Sequence, residues 1–196
     1  MTIRAGEEWG RRVTGDAGAT AAADDADLAR HLAAGERGPF TVAGGDLHRA
    51  VGAPAAGAFT TALPVDALIV RLDDGPERTV VAHVVARRRW WRGPMVAVCN
   101  VDYVGKWNVA PRAHPNDGRA DVIEVAATMG RRARWQAWRR LPQGTHLPHP
   151  SLTTRSVRTA AFEWDDPIGV WLDGVNAGVA RKLAVTVRPD AFELLV

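Results

Sequence analysis

The stretch of sequence that decides the fold covers residues 100–125 and reads NVDYVGKWNVAPRAHPNDGRADVIEV. It begins at the end of an apolar run, residues 94–101, that is typical of a central strand. It ends in residues 121–125, where apolar and polar residues alternate as in a half-buried strand. Between them lies an irregular connection with prolines and an Asn116-Asp117-Gly118 turn. A loop of this length inside a compact domain is usually functional or held by a specific contact.

Short strands are predicted on both sides of this stretch. The predicted strands cover residues 65–72, 79–85, 156–164, 169–172 and 182–187, and tight turns are expected at Asp73-Asp74-Gly75 and Asp173-Gly174. One helix, residues 130–141, interrupts them before Pro142. The pattern predicts a mostly β, α+β chain whose main domain, residues 63–196, is an antiparallel sandwich or barrel-like structure.

The first part of the chain has a different texture, rich in Ala, Gly and Asp. A helix is predicted over residues 24–33, followed by a strand at residues 40–43 and a second helix that ends at Val51. The Gly44-Gly45-Asp46 turn opens that second helix, and a turn of this kind often serves only as a helix cap. We expect a separate short α/β lobe over residues 1–62.

Composition restricts the class of protein. The 196 residues include no run of eighteen apolar residues, and the N-terminus lacks the apolar stretch of a secretory signal. The single cysteine, Cys99, lies in an apolar run and is expected to be buried. These features predict a cytoplasmic protein. The net charge of +3 is mild and is compatible with an anionic partner.

Arginine and tryptophan cluster in residues 87–92 and again in the helix at residues 131–140. The indoles could be core residues whose edges the arginines cover. The same pairing suits a peripheral contact with an anionic membrane or the stacking of single-stranded nucleic acid bases. No recognised nucleic-acid-binding motif accompanies the clusters, and the histidines show no zinc spacing.

Four short motifs in a fixed order carry a resemblance. They are Asn100, Gly105, Ala110-Pro111, Ala113 and Asp117-Gly118; then Gly144-Thr145-His146; then Asp173-Gly174; and finally Pro189-Asp190-Ala191 after an alternating strand. Together they resemble the second domain of bacterial diacylglycerol kinases and YegS-like lipid kinases, which are more distantly related to sphingosine kinases. The resemblance covers residues 65–196.

The resemblance implies a magnesium site and a catalytic base. A structural Mg²⁺ would be bound by the Asp117 carboxylate and the main-chain carbonyls of His114 and Arg119, although an Asx turn accounts for Asp117 equally. Asp173 would accept the proton of a lipid hydroxyl as it attacks the γ-phosphate of ATP. However, Val175 stands where the family has a glutamate, so Asp173 could be only a hairpin residue.

The N-terminal part departs from that family. Its Gly-Gly-Asp-Gly-Thr phosphate loop is absent from the sequence. The segment with Gly44, Gly45 and Asp46 resembles instead the Gly-Thr-Gly-Asn-Asp-Leu-Ala-Arg stretch that ends the nucleotide-binding half, and Asp24-Asp25 could be a remnant of the phosphate-loop region. The resemblance thus implies that residues 1–62 are an abbreviated nucleotide-binding domain that binds ATP poorly.

Three hypotheses about function follow. The first is a degenerate, non-catalytic homologue of lipid kinases that binds a lipid or small ligand. The second is a minimal lipid kinase that uses ATP and Mg²⁺ with Asp173 as the base. The third is an interaction domain for an anionic membrane surface. The oligomeric state is open, a homodimer included, and a separate chain could supply a nucleotide-binding domain.

Overall fold

A computed structural model of the chain describes residues 9–14, 18–52 and 61–196. The N-terminal part contains β1 (Arg11–Arg12), β2 (Thr20–Ala22), α1 (Asp25–Ala33), β3 (Pro39–Val42) and α2 (Gly45–Val51). The remainder contains β4 (Thr61–Leu72), β5 (Arg78–Val80), β6 (His83–Arg89), β7 (Arg92–Cys99), β8 (Tyr103–Val104), β9 (Trp107–Asn108), β10 (Ala120–Val125), α3 (Arg131–Arg140), a 3-10 turn (Leu141–Gln143), β11 (Leu152–Val157), β12 (Thr159–Leu172) and β13 (Val175–Leu195).

Eleven of the described strands join in one sheet, whose main path runs β1-β4-β13-β12-β6-β7-β10-β11. Neighbours on this path are antiparallel, whereas β2 pairs with β3 and β3 with the end of β13 in parallel. Strands β8 and β9 form a separate hairpin. The predicted mostly β, α+β fold with antiparallel pairing is therefore confirmed.

The longest strand, β13, carries a bulge part of the way along. Arg188 pairs with Ala67 and Phe192 with Val65, so three residues of β13 lie opposite Asp66 alone. A bulge of this kind bends a strand. Because it adds two residues, the alternation stays in phase, so Val185 and its odd-numbered neighbours face one core while Phe192 and Leu194 face the other.

The two cores join the N-terminal segment to the sandwich. The first core fills the interior of the curled sheet and includes Leu68, Val84, Val98, Val122, Val170 and Val185. The second core packs α1, α2 and β3 against the ends of β4 and β13, where the rings of Phe40 and Phe192 meet edge to face at 6.0 Å. The N-terminal elements thus share a sheet and a core with the sandwich, and the domain boundary after residue 62 remains a prediction.

The bulge in β13 is held by the carboxylate of Asp66, which is fully buried in the middle of β4. Its Oδ1 accepts a hydrogen bond from the amide of Asp190 at 2.9 Å, and its Oδ2 accepts one from the amide of Gly118 at 2.7 Å. The side chain of Asn100 donates to the Asp66 carbonyl at 2.9 Å. One residue therefore connects β4, the bulge and the 100–118 connection.

Two strand predictions were wrong in their boundaries. The segment 79–85 is not one strand, because Val81 and Ala82 separate β5 from β6 and their amides, together with that of His83, bond to the Asp173 carboxylate. The segment 156–164 is divided between β11 and β12, with the break at Arg158. In contrast, the predictions at 169–172 and 182–187 identify only parts of the long strands β12 and β13.

The predicted helices and hairpin turns are confirmed. Asp24 caps α1 by accepting a hydrogen bond from the amide of Asp27. Asp173 and Gly174 have φ of +46° and +79° and join β12 to β13, as expected for a two-residue hairpin turn. None of the helices in the described ranges is long and apolar enough to cross a membrane.

The interpretation of the indoles as buried core is wrong for four tryptophans. Trp90, Trp91, Trp135 and Trp138 are 38–45% exposed, although Cys99 is buried as expected. The two tryptophans of α3 lie on a helix in which Arg134 is the only buried residue, so this helix covers the sheet without entering its core.

We expect Asp66→Asn to lower the free energy of unfolding by about 1–3 kcal/mol, because an amide can accept from only one of the two backbone N–H groups and directs its own NH₂ at the other. Urea denaturation measures the change, and Asp74→Asn, in an exposed turn, is the matched control. Equal stability of the two variants would show that Asp66 does not hold the bulge.

Candidate functional site

An apolar cavity of about 250 Å³ lies between one face of the sheet and α3. It arises from strand alternation, because β7 and β10 direct Val98 and Val122 into the sandwich core and Ala97 and Ile123 to the opposite face. The helix segment that closes the cavity contributes residues 137, 138 and 141. The outer face of the sheet therefore forms one wall of an apolar recess and is not fully exposed to solvent.

Three tryptophans form much of the cavity rim. Trp90 and Trp91 come from the turn between β6 and β7, and Trp107 comes from β9. The rings of Trp90 and Trp107 meet at 5.3 Å with an interplanar angle of 69°. The Arg87 guanidinium lies between the rings of Trp90 and Trp171, at 4.6 and 4.1 Å from their centroids. Because Trp90 and Trp91 are partly exposed, the cavity reaches the surface at this rim.

Arg134 is the one charged residue in the cavity wall, and it is only 5% exposed. Its guanidinium donates to the carbonyls of Met129, Trp90, Gly93 and Ala126. Within the described ranges it has no carboxylate partner, and burial lowers its pKa. Arg134 thus fastens the start of α3 to the turn between β6 and β7 and fixes the cavity rim.

A cluster of acidic residues lies beside the cavity, where α1 and α2 meet the sheet. His83 Nε2 donates to Asp46 Oδ2 at 2.9 Å, and the Gly105 amide donates to the same oxygen at 2.8 Å. Burial opposes protonation of His83, but the bond to Asp46 and the carboxylates of Asp173, Asp46 and Asp25 outweigh it and raise the His83 pKa. Burial likewise opposes ionisation of Asp46, and the bonds from His83 and Gly105 prevail and lower its pKa. The two groups thus shift each other's pKa towards the ion pair.

Asp25 occupies the N-terminus of α2. Its Oδ2 accepts from the amide of Asp46 at 2.6 Å and its Oδ1 from the amide of Leu47 at 3.2 Å. Gly45 has φ of +98°, and a Cβ there would lie 2.4 Å from the Asp25 carboxylate, so only glycine fits. Burial raises the pKa of Asp25 to about 7, with the charges of Asp173 and Asp46 adding to the effect. The predicted binding turn Gly44-Gly45-Asp46 is therefore filled by a side chain of the same protein.

Asp173, the predicted base, lies in the hairpin turn between β12 and β13. Its carboxylate accepts hydrogen bonds from the amides of Val81, Ala82 and His83 at 2.8–3.0 Å. Burial raises its pKa, and these amides and the charge of His83 oppose the rise. The structure thus places Asp173 beside His83, the partner of Asp46, and three backbone amides occupy acceptor positions of the Asp173 carboxylate.

The turn between β8 and β9 links this cluster to the cavity. Its Gly105 donates to Asp46, and the Arg49 side chain of α2 donates to the Gly105 carbonyl. The residues that flank Gly105, Val104 and Trp107, line the cavity. The β8–β9 hairpin therefore contacts both regions.

The predicted magnesium ligands lie away from this cluster, in the 100–118 connection and just beyond it. Asp117 Oδ1 accepts from the amide of Arg119 at 2.9 Å, which is an Asx turn. His114 Nδ1 accepts from the amide of Asn116 at 3.2 Å, and the Arg119 side chain donates to Ser156. Groups of three or more His, Cys, Asp or Glu side chains arranged for a metal do not occur in the described ranges. A site built from one carboxylate and two carbonyls stays a prediction.

Sequence reasoning missed Asp25 as a cap of α2, Asp66, His83 and the cavity. Two of them carried a local signal, since Asp66 and His83 each interrupt an apolar strand sequence. A polar residue inside such a strand is buried and requires a partner. The cavity carried no such signal, because its lining residues are spread along the chain from Val85 to Leu152.

Solved structures of other proteins share the fold of this chain. Three solved structures from Bacillus anthracis str. Sterne, assigned as diacylglycerol kinases, match 80% of this chain at 12–13% identity, with TM-scores of 0.61, 0.60 and 0.55. The match covers 69%, 69% and 66% of their respective chains. At this identity the likeness shows the fold alone. No curated protein matches the sequence.

A family model gives a more specific result. The model described as the YegS C-terminal NAD kinase beta sandwich-like domain matches residues 67–196, from the middle of β4 to the end of the chain. The matched range contains the cavity, Asp117 and Asp173, whereas Asp25 and Asp46 precede it. Since the match covers more than half of the chain, this protein belongs to the family of the YegS C-terminal NAD kinase beta sandwich-like domain.

Proposed function

We propose that this protein binds a lipid or another apolar small molecule in the apolar cavity and does not transfer phosphate. The observation that carries the proposal is the cavity itself, about 250 Å³ of space lined by aromatic and aliphatic side chains. Small-molecule sites are typically recesses of about 300–1,000 Å³ with such a lining. A volume just below that range suits one acyl chain or a comparable apolar group.

Three observations support the loss of catalysis. The carboxylate of Asp173 already accepts from three amides, which leaves little capacity to take a proton from a hydroxyl. Val175, where the family has a glutamate, is 56% exposed and offers no charge. At the start of α2, the amides that could approach a phosphate are bound to Asp25, and an anion there would meet the Asp25 and Asp46 carboxylates.

The alternative function is a minimal lipid kinase that uses ATP and Mg²⁺. Its support is the kinship with proteins assigned as diacylglycerol kinases and the proximity of Asp173 to the His83–Asp46 pair. Phosphoryl transfer depends on a cradle for the β- and γ-phosphates together with metal ions. Because the sequence lacks the family's phosphate loop and Asp25 occupies the Gly44-Gly45-Asp46 turn, the non-catalytic proposal is favoured.

Filling the cavity should abolish ligand binding. We expect Ala137→Phe to weaken binding of a fluorescent monoacylglycerol analogue by about tenfold or more, since the larger side chain enters the cavity from α3. Gln136→Phe, on the exposed side of the same helix, adds the same ring outside the cavity and should bind like the wild type. Fluorescence titration below the micelle concentration of the probe gives both constants. Unchanged affinity in Ala137→Phe would refute the cavity as the binding site.

Nucleotide should not stabilise the protein. Ligand at 100 times its dissociation constant adds about 2.7 kcal/mol of stability, so a scanning fluorimetry titration with ATP and Mg²⁺ detects even modest binding. We expect no change in Tm and no transfer of label from γ-labelled ATP to diacylglycerol. Transfer by the wild type that Asp173→Asn abolishes would establish the kinase alternative instead.

We also propose that a hard cation such as Mg²⁺ binds at Asp117. The support is electrostatic, because the charge of Asp117 adds to the raised pKa values that burial gives Asp66 and Asp121. One oxygen of Asp117 bonds to Arg119, and with the carbonyls of His114 and Arg119 the other would complete part of an oxygen shell. When bound, the ion would neutralise this acidic region and hold the 100–118 connection.

The cation proposal has a direct test in thermal stability. EDTA should lower the Tm of the wild type, Mg²⁺ should restore it, and Asp117→Ala should lower it and remove the response to both. Asp74→Ala, an exposed aspartate in a turn, should keep the response. If neither EDTA nor Asp117→Ala changes the Tm, the assignment of a metal to this turn is wrong.

A further inference from the structure

Four partly exposed tryptophans and six exposed arginines form one surface around the cavity mouth. We call it the tryptophan–arginine surface; it consists of Trp90, Trp91, Trp135, Trp138, Arg89, Arg92, Arg131, Arg132, Arg139 and Arg140. All ten residues belong to α3 or to the ends of β6 and β7 with their connecting turn. Exposed aromatic side chains in such number mark an interaction site rather than ordinary surface.

The two segments are fixed against each other by Arg134. Its guanidinium donates to the carbonyls of Trp90 and Gly93 in one segment and of Ala126 and Met129 before the other. The surface is therefore preformed in the described structure, and no rearrangement is needed to bring its tryptophans together.

The charge of this surface is strongly one-sided. Residues 83–101 and 125–162 contain no aspartate or glutamate, whereas they contain four and seven arginines respectively. The six arginines of the surface make no ion pair with any described residue. By contrast, Arg88 and Arg155, which belong to the same two ranges but not to this surface, pair with Asp166 and Glu124, and Arg11 and Arg71 also pair with glutamates. A net charge of +3 for the whole chain conceals this local excess.

We infer that the tryptophan–arginine surface docks the protein on an anionic lipid membrane with the cavity mouth towards the bilayer. Indoles partition to headgroup depth, and arginines near the surface are attracted to anionic lipid headgroups. Trp90, Trp91 and Trp138 line the cavity and are also exposed, so the docked surface leads directly into the cavity. This inference rests on the proposed function, because it supplies the route by which a lipid enters.

Single-stranded nucleic acid is the competing partner, since bases also stack on indoles beside arginine. The membrane is favoured by the position of the tryptophans. Three of them line a cavity whose wall is mostly aliphatic and aromatic, which suits a hydrocarbon chain better than the polar edges of bases. Binding of a single-stranded oligonucleotide is therefore measured alongside binding of vesicles.

Vesicle co-sedimentation tests the inference with the full chain. Binding to vesicles of phosphatidylcholine and phosphatidylglycerol should exceed binding to phosphatidylcholine alone by about tenfold or more, and it should fall as salt screens the arginines. The pair Arg131→Glu and Arg132→Glu should remove it. The pair Arg37→Glu and Arg78→Glu changes the net charge equally at exposed sites elsewhere and should retain it.

Trp135→Ala separates docking from ligand binding, because Trp135 is exposed but does not line the cavity. It should weaken vesicle binding and leave the titration with the soluble monoacylglycerol analogue unchanged. Wild-type protein that binds the analogue but ignores anionic vesicles would overturn the docking inference and leave the proposed function intact. Vesicle binding without any affinity for the analogue would support docking and contradict the proposed function. Tight binding of single-stranded oligonucleotide in place of vesicles would overturn docking.

Discussion

The fold depends on one buried carboxylate. Asp66 is fully buried in β4, and its two oxygens bind the amides of Asp190 and Gly118. Because these amides belong to the bulge of β13 and to the turn after Asp117, the interaction fixes the bulge against β4 and the 100–118 connection. Alternation along β4 and β13 then lets one pair of strands line both the sandwich core and the core shared with α1 and α2. A buried charge is normally costly, and here backbone donors offset that cost.

The same device, a carboxylate bound by backbone amides, recurs at the places where a kinase would require free groups. Asp173 binds three amides of the connection between β5 and β6, and Asp25 binds two at the start of α2. Each aspartate stabilises a turn by using the hydrogen-bonding capacity that a substrate or phosphate would need. The His83–Asp46 pair lies between them and neutralises part of the charge. The acidic cluster is thus well suited to holding the N-terminal elements on the sheet, which agrees with the proposed loss of catalysis.

On the outer face of the sheet, by contrast, the space under α3 is not filled by side chains of the protein. Alternation along β7 and β10 places small or branched side chains on this face, and α3 covers them without filling the space. Arg134 supports the helix through four carbonyls, so the cavity persists without a side chain at its centre. The surrounding tryptophans and arginines give the same region its charge and its aromatic rim. A ligand site and a surface for docking are therefore built from the same two segments.

The sequence by itself determined the elements whose causes are local. Turn residues such as Asp173-Gly174, the capping aspartate of α1, and the order of short motifs predicted the hairpins, the helices and the family. Only the tertiary structure decided the partners of buried polar groups and the exposure of the indoles. Asp66 meets an amide 124 residues away, and Asp173 divides a predicted strand from a distance of 90 residues. The Trp135–Trp138 spacing showed that both residues share a helix face, but burial depends on what packs against that face. Local dihedral preferences are encoded in neighbouring residues, whereas burial and long-range hydrogen bonds arise only when distant segments meet.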